Sequence, residues 1–140
     1  TLEEVIGIRK SKGSLSEYGI TYRQVDLLAD GTFDYENIKK AIHEKTKLIT
    51  IQRSKGYQTR PSFSVAQIGQ LISFVKKIKP DVICMVDNCY GEFVERMEPS
   101  DVGADLMVGS LIKKSRGADL LRSAAISSAK KSAWKMQHIV

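Results

Sequence analysis

"SVAQIGQLISFVKKIKPDVICMVD", residues 64–87, holds a helix, its stop and a strand in one unbroken run. Ser64 with Gln67 forms a capping box, in which each side chain satisfies the other residue's backbone N–H. Val65, Ile68, Leu71, Ile72, Val75 and Ile78 then recur at helical spacing, and Pro80 sits just past the last of them. After Asp81 the residues Val82–Val86 are apolar on both faces, the pattern of a strand in a covered parallel sheet.

The same grammar extends on both sides. Upstream, Asp30-Gly31 is a turn, and Asp34 is an N-cap for a helix with Ile38, Ala41 and Ile42 on one face. "KLITIQ", residues 47–52, reads as a short buried strand rich in β-branched residues. Downstream, "ADLMVGS", residues 104–110, is a third strand. The alternation predicts an α/β domain with a parallel-rich sheet and flanking helices. Ligands of such sheets gather at the carboxyl ends of the strands. Three polar clusters fall there: Gln52-Arg53-Ser54, Asp87-Asn88, and Gly109-Ser110 with Lys113.

Composition narrows the class. With 42% hydrophobic and 27% charged residues over 140 positions, the chain is one globular domain's worth of sequence. No apolar run approaches a membrane span, and "TLEEVIGIRK" lacks the core of a signal peptide, so a cytoplasmic location and no membrane partner are expected. Cys84 and Cys89 flank Asp87, while His43 and His138 are distant, so no metal site is expected and buried thiols are. The net charge of +6 belongs to the tail. Residues 113–140 carry seven basic side chains against Asp119 alone, which leaves fifteen of each sign in residues 1–112.

Each polar cluster has two readings. Asp87 caps the turn that follows it, or it serves as counter-charge for a ligand nitrogen. Lys113 is a solvated surface lysine, or an amine able to form a Schiff base with an aldehyde. Ser110 is a turn residue or a phosphate donor. Taken together, acid, serine and lysine describe pyridoxal phosphate, with the acid on the ring nitrogen, the serine at the phosphate and the lysine on the aldehyde.

"TLEEVIGIRKSKGSLSEYGI", "IQRSKGYQTRPSFS" and "VDNCYGEFVERMEPSDVGADLMVGSLIK" resemble the aluminium-resistance family, relatives of methionine gamma-lyase and cystathionine beta-lyase. The likeness covers residues 1–113. It implies the large domain of a fold-type-I pyridoxal 5′-phosphate enzyme, truncated at both ends, whose relatives cleave carbon–sulfur bonds in small amino-acid substrates. By position it implies Lys113 as the Schiff-base lysine, Asp87 as partner of the pyridine nitrogen and Ser110 as a phosphate ligand. Gln52 and Arg53 are near-site candidates, and Tyr57 and Arg60 are loop residues facing substrate or holding the loop. A homo-oligomer is implied for full-length relatives, and the truncated chain alone is expected to be inactive.

After Lys113 the family continues Asn-Pro-Gly-Gly-Gly, whereas this chain reads "KSRGADLLRSAAISSAKKSAWKMQHIV". One choice of permitted codons for Ser115 to Val140, read one base earlier, gives "PGGGLAPIGGYIIGKKECVENAAYR", a glycine-rich loop, an apolar strand and a helix start. The expectation is a reading-frame shift near Lys113-Lys114-Ser115, which makes residues 114–140 an aberrant basic tail with no functional message. The rival readings are a non-enzymatic α/β module with a nucleic-acid-binding tail, recognisable by steep salt dependence, and a redox domain using Cys84 and Cys89.

Overall fold

The computed structural model describes residues 5–8, 12–110 and the backbone of 126–129. After a 3-10 turn at Leu15–Tyr18 come α1 (Tyr35–Ala41), β1 (Leu48–Gln52), α2 (Val65–Ile78), β2 (Ile83–Asp87), β3 (Leu106–Gly109) and β4 (Ile126–Ala129). The strands form one sheet in the order β1-β2-β3-β4. β1, β2 and β3 are parallel, and β4 runs antiparallel to β3. The predicted α/β class with a parallel-rich sheet is the observed one.

Local chemistry accounts for both helices. Asp34 Oδ1 accepts the Asn37 N–H at 2.9 Å and so caps α1. Before it, the Asp30-Gly31 turn is closed by Thr32, whose hydroxyl and N–H both donate to Asp30 Oδ1 and hold that carboxyl below its ordinary value. Gly31 takes a φ of 79° there, a conformation a side chain would strain. The capping box on α2 is complete, with Gln67 N–H on Ser64 Oγ and Ser64 N–H on Gln67 Oε1. Replacing Ser64 with alanine removes one of those bonds and is expected to cost about 1 kcal/mol. A urea midpoint indistinguishable from wild type would contradict this.

The core lies between α2 and one face of the sheet. Val65, Ile68, Leu71, Ile72 and Val75 of the helix are buried, and they meet Ile51, Val82, Cys84 and Val86. A second layer comes from Phe33, stacked on Phe63 at 4.1 Å between ring centres, and from Tyr35, edge-on to Phe74. At the amino ends of the strands, Lys76 of α2 pairs with Asp105 at 2.6 Å while Asp105 Oδ2 accepts the Cys84 N–H. That staple ties helix and sheet together at the end opposite the polar clusters.

Two strands differ from expectation. Among the described strands β1 is at the edge, with Ile51 buried and Leu48, Thr50 and Gln52 exposed, rather than a buried strand. β2, apolar on both faces, is fully covered on one only: Cys84 and Val86 are buried, and Ile83 and Met85 are half-buried. Apolar character is a property of each residue, whereas coverage depends on what packs above it. The described residues put a helix on one face only.

Candidate active site

Parallel pairing carries the polar clusters to one edge. Gln52 at the end of β1 lies opposite Asp87 at the end of β2, and Asp87 lies opposite Val108, two residues before Ser110. The strand ends are extended by two further bonds, Arg53 N–H to Asp87 O at 3.0 Å and Asn88 N–H to Val108 O at 2.7 Å. Gln52 and Asp87 are therefore direct partners, and Ser110 follows β3 at the same edge of the sheet. Lys113, three positions beyond Ser110, lies outside the described residues, as does nearly all of the 114–140 tail; its positions 126–129 supply β4.

Asp87 is half-buried, and its two oxygens divide the two readings between them. Oδ1 accepts the Cys89 N–H at 3.0 Å, which is the turn-capping role. Among the described residues no donor reaches Oδ2, which leaves one carboxylate oxygen for a cationic or protonated partner. The half-buried Ser110 is oriented by its N–H, which donates to Glu92 Oε1, and its hydroxyl has no partner among the described residues. Glu92 itself is 3% exposed, with Oε2 buried and without a hydrogen-bond partner among the described residues. Gly109 makes room for it, since a Cβ there would stand 2.7 Å from Glu92 Oε1.

The loop after β1 is held by its own residues. Arg60 donates to the carbonyls of Gln52, Ser54 and Pro61 and lies 4.6 Å over the Phe63 ring. Burial pushes its guanidinium below its ordinary value. Of the two readings for Arg60, the structure shows the loop-holding one. Gln52 points its amide at the Ser54 carbonyl, 3.3 Å away, and Tyr57 is fully exposed at the loop's tip.

Arg53 makes four side-chain hydrogen bonds, three of them to the loop after β2. Its Nε donates to Phe63 O, Nη1 to Asn88 Oδ1 and Gly91 O, and Nη2 to Glu95. Asn88 passes the network on to Glu98, which in turn accepts the Phe93 N–H. Sequence reasoning placed Asp87, Asn88 and Ser110 at the strand ends but missed Glu92, Glu95 and Glu98. The available signal was the spacing of three glutamates, every third residue, through a segment with no helical pattern. Acids so placed in a turn-rich loop are spent on backbone N–H groups and buried cations.

With this geometry in hand, the comparisons are specific. The family model for methionine gamma-lyase matches residues 1–133. The protein YnbB of Bacillus subtilis is 56% identical over 119 residues, which cover 84% of this chain and 28% of that protein. A Listeria monocytogenes protein described as involved in aluminum resistance superposes with a TM-score of 0.87 at 50% identity, covering 94% of this chain and 33% of that one. A Clostridium novyi protein named as a carbon-sulfur lyase involved in aluminum resistance gives a TM-score of 0.84 at 43% identity, with 94% and 31% coverage. The chain thus spans about a third of the length of the relatives it matches. Its architecture is that of a segment of the fold-type-I large domain, and the family match extends past the 113 residues over which motifs are legible by eye. The chain belongs to the methionine gamma-lyase family.

Proposed function

We propose that this fold belongs to a pyridoxal-phosphate-dependent carbon–sulfur lyase acting on a sulfur-containing amino acid, and that the site at the strand ends holds the cofactor. The observation that carries the reading is that Asp87 Oδ2 at the end of β2 and the Ser110 hydroxyl near the end of β3 both have no partner among the described residues. One is an acceptor for a protonated ring nitrogen, and the other is a donor for a phosphate oxygen. The residues present therefore fit the two polar ends of pyridoxal phosphate. Because Ser110 gives its N–H to Glu92, only its hydroxyl serves the phosphate.

When bound, the cofactor supplies an electron sink that stabilises negative charge at the substrate α-carbon. Asp87 would keep the ring nitrogen protonated, since a nearby carboxylate favours the charged form. Lys113 would hold the cofactor at its aldehyde, and its amine would serve as the base for the substrate α-proton. The side-chain sulfur group would leave as a thiol, with the proton taken up by Lys113 passing to the sulfur.

The test uses the 140-residue chain. Titration with pyridoxal phosphate, reduction with borohydride and peptide mapping are expected to find the label on Lys113. Label spread over surface lysines, or none, would overturn the assignment. Because relatives are about three times as long, we expect no thiol release from methionine or cystathionine by this chain alone; measurable turnover by purified material would refute that.

A further inference from the structure

Arg53 is 3% exposed and comes directly after β1, yet most of its contacts are to the loop that follows β2. Nη1 reaches Asn88 Oδ1 at 2.7 Å and Gly91 O at 3.0 Å, Nη2 pairs with Glu95, and Glu98 Oε2 stands 3.9 Å from Nη1. Nε donates to Phe63 O at 3.3 Å. Glu95 also accepts the Val65 N–H at 3.0 Å, which ties the same cluster to the start of α2.

The gripped residues bracket Cys89. Asn88, fully buried, precedes it; Gly91 follows it after Tyr90, whose φ of 69° is a conformation that a non-glycine residue keeps only when its surroundings hold it. Cys89 in turn donates its N–H to Asp87 Oδ1. The direction of the Asp87 carboxylate is thus set through Cys89 by two anchors on either side, and both anchors end on one guanidinium. A planar fork of five N–H groups spans Phe63, Asn88, Gly91 and Glu95 at once, which the single ammonium of a lysine cannot do.

We propose that Arg53 is a positioning residue for Asp87, which locks the β2 loop so that Oδ1 stays on the Cys89 N–H and Oδ2 stays turned toward the ligand. This rests on the reading of Asp87 given above for its consequence on cofactor binding, but not for its consequence on the loop. The two cysteines separate these effects. Neither is in a disulfide; Cys84 is buried in the core and Cys89 is half-buried in the loop.

The experiment compares wild type, Arg53→Lys and Glu95→Gln in the 140-residue chain by thiol alkylation at each cysteine and by pyridoxal-phosphate titration followed across pH. For Arg53→Lys we expect Cys84 to stay protected, Cys89 to alkylate about tenfold faster and cofactor affinity to fall about tenfold, the scale of one lost charge-assisted hydrogen bond. The pH at which the bound cofactor's absorbance titrates should move as well, which loss of packing alone would not produce. Should Arg53→Lys expose Cys84 too, the decision passes to Glu95→Gln, which keeps an acceptor for Arg53 and removes the charge. Cys89 rates equal to wild type in a variant with Cys84 protected overturn the proposal. If wild type binds no cofactor, the functional reading fails while the alkylation result still decides the role of Arg53.

Discussion

Replacement of Gly91 with alanine is expected to destabilise the chain by about 3 kcal/mol, the upper end of what overpacking costs. A Cβ at Gly91 would stand 2.5 Å from Asn88 Oδ1, 2.7 Å from Arg53 Nη1 and 2.8 Å from Arg53 Cδ. Side-chain atoms elsewhere rotate away from such a contact, but these are buried and hydrogen-bonded on several sides. Moving Arg53 would detach Glu95 and the Phe63 carbonyl, and moving Asn88 would detach Glu98. A buried cation or amide left without its partners is costly, so the network resists the intrusion rather than yielding to it. Thermal unfolding should show a fall of roughly 10 °C. A variant melting within a degree or two of wild type would mean that the loop is softer than its hydrogen bonds indicate.

The second large effect is expected at Asp87, and it should be chemical rather than structural. Asparagine at this position keeps an oxygen for the Cys89 N–H, so the turn and the strand pairing survive and the melting temperature should stay near that of wild type. It lacks the negative charge that holds a proton on a ring nitrogen. Loss of one charge-assisted hydrogen bond is worth about 1.5–3 kcal/mol, which weakens pyridoxal-phosphate binding roughly ten- to a hundredfold. An Asp87→Asn chain that binds the cofactor as tightly as wild type would remove Asp87 from the site. The contrast with Gly91→Ala matters: one substitution disturbs the loop without touching the ligand, and the other removes the ligand contact without disturbing the loop.

The elements that could be read from the sequence are those whose causes are local. The capping box of Ser64 and Gln67, the Asp34 cap and the Asp30-Gly31 turn each involve residues no more than three apart, and all three are present. The helical spacing of Val65 to Val75 named its own buried face. Asp87 and Ser110 were legible because a polar residue ending an apolar run marks the carboxyl end of a parallel strand. The tail is a different case. β4 at Ile126–Ala129 lies in the basic tail, and its backbone pairs antiparallel with β3.

By itself, then, the sequence determined the order of helices and strands, the helix caps and which residues stand at the strand ends. Only the tertiary structure decided what those residues touch. Arg53 meets Glu95 across 42 positions, Asn88 across 35 and Gly91 across 38, and Glu92 reaches Ser110 across 18. No periodicity records such distances, because a hydrogen bond between remote segments depends on how the sheet brings its strand ends together. The same holds for β1, whose apolar residues mark it as a strand but do not say that it would lie at an edge with one face open.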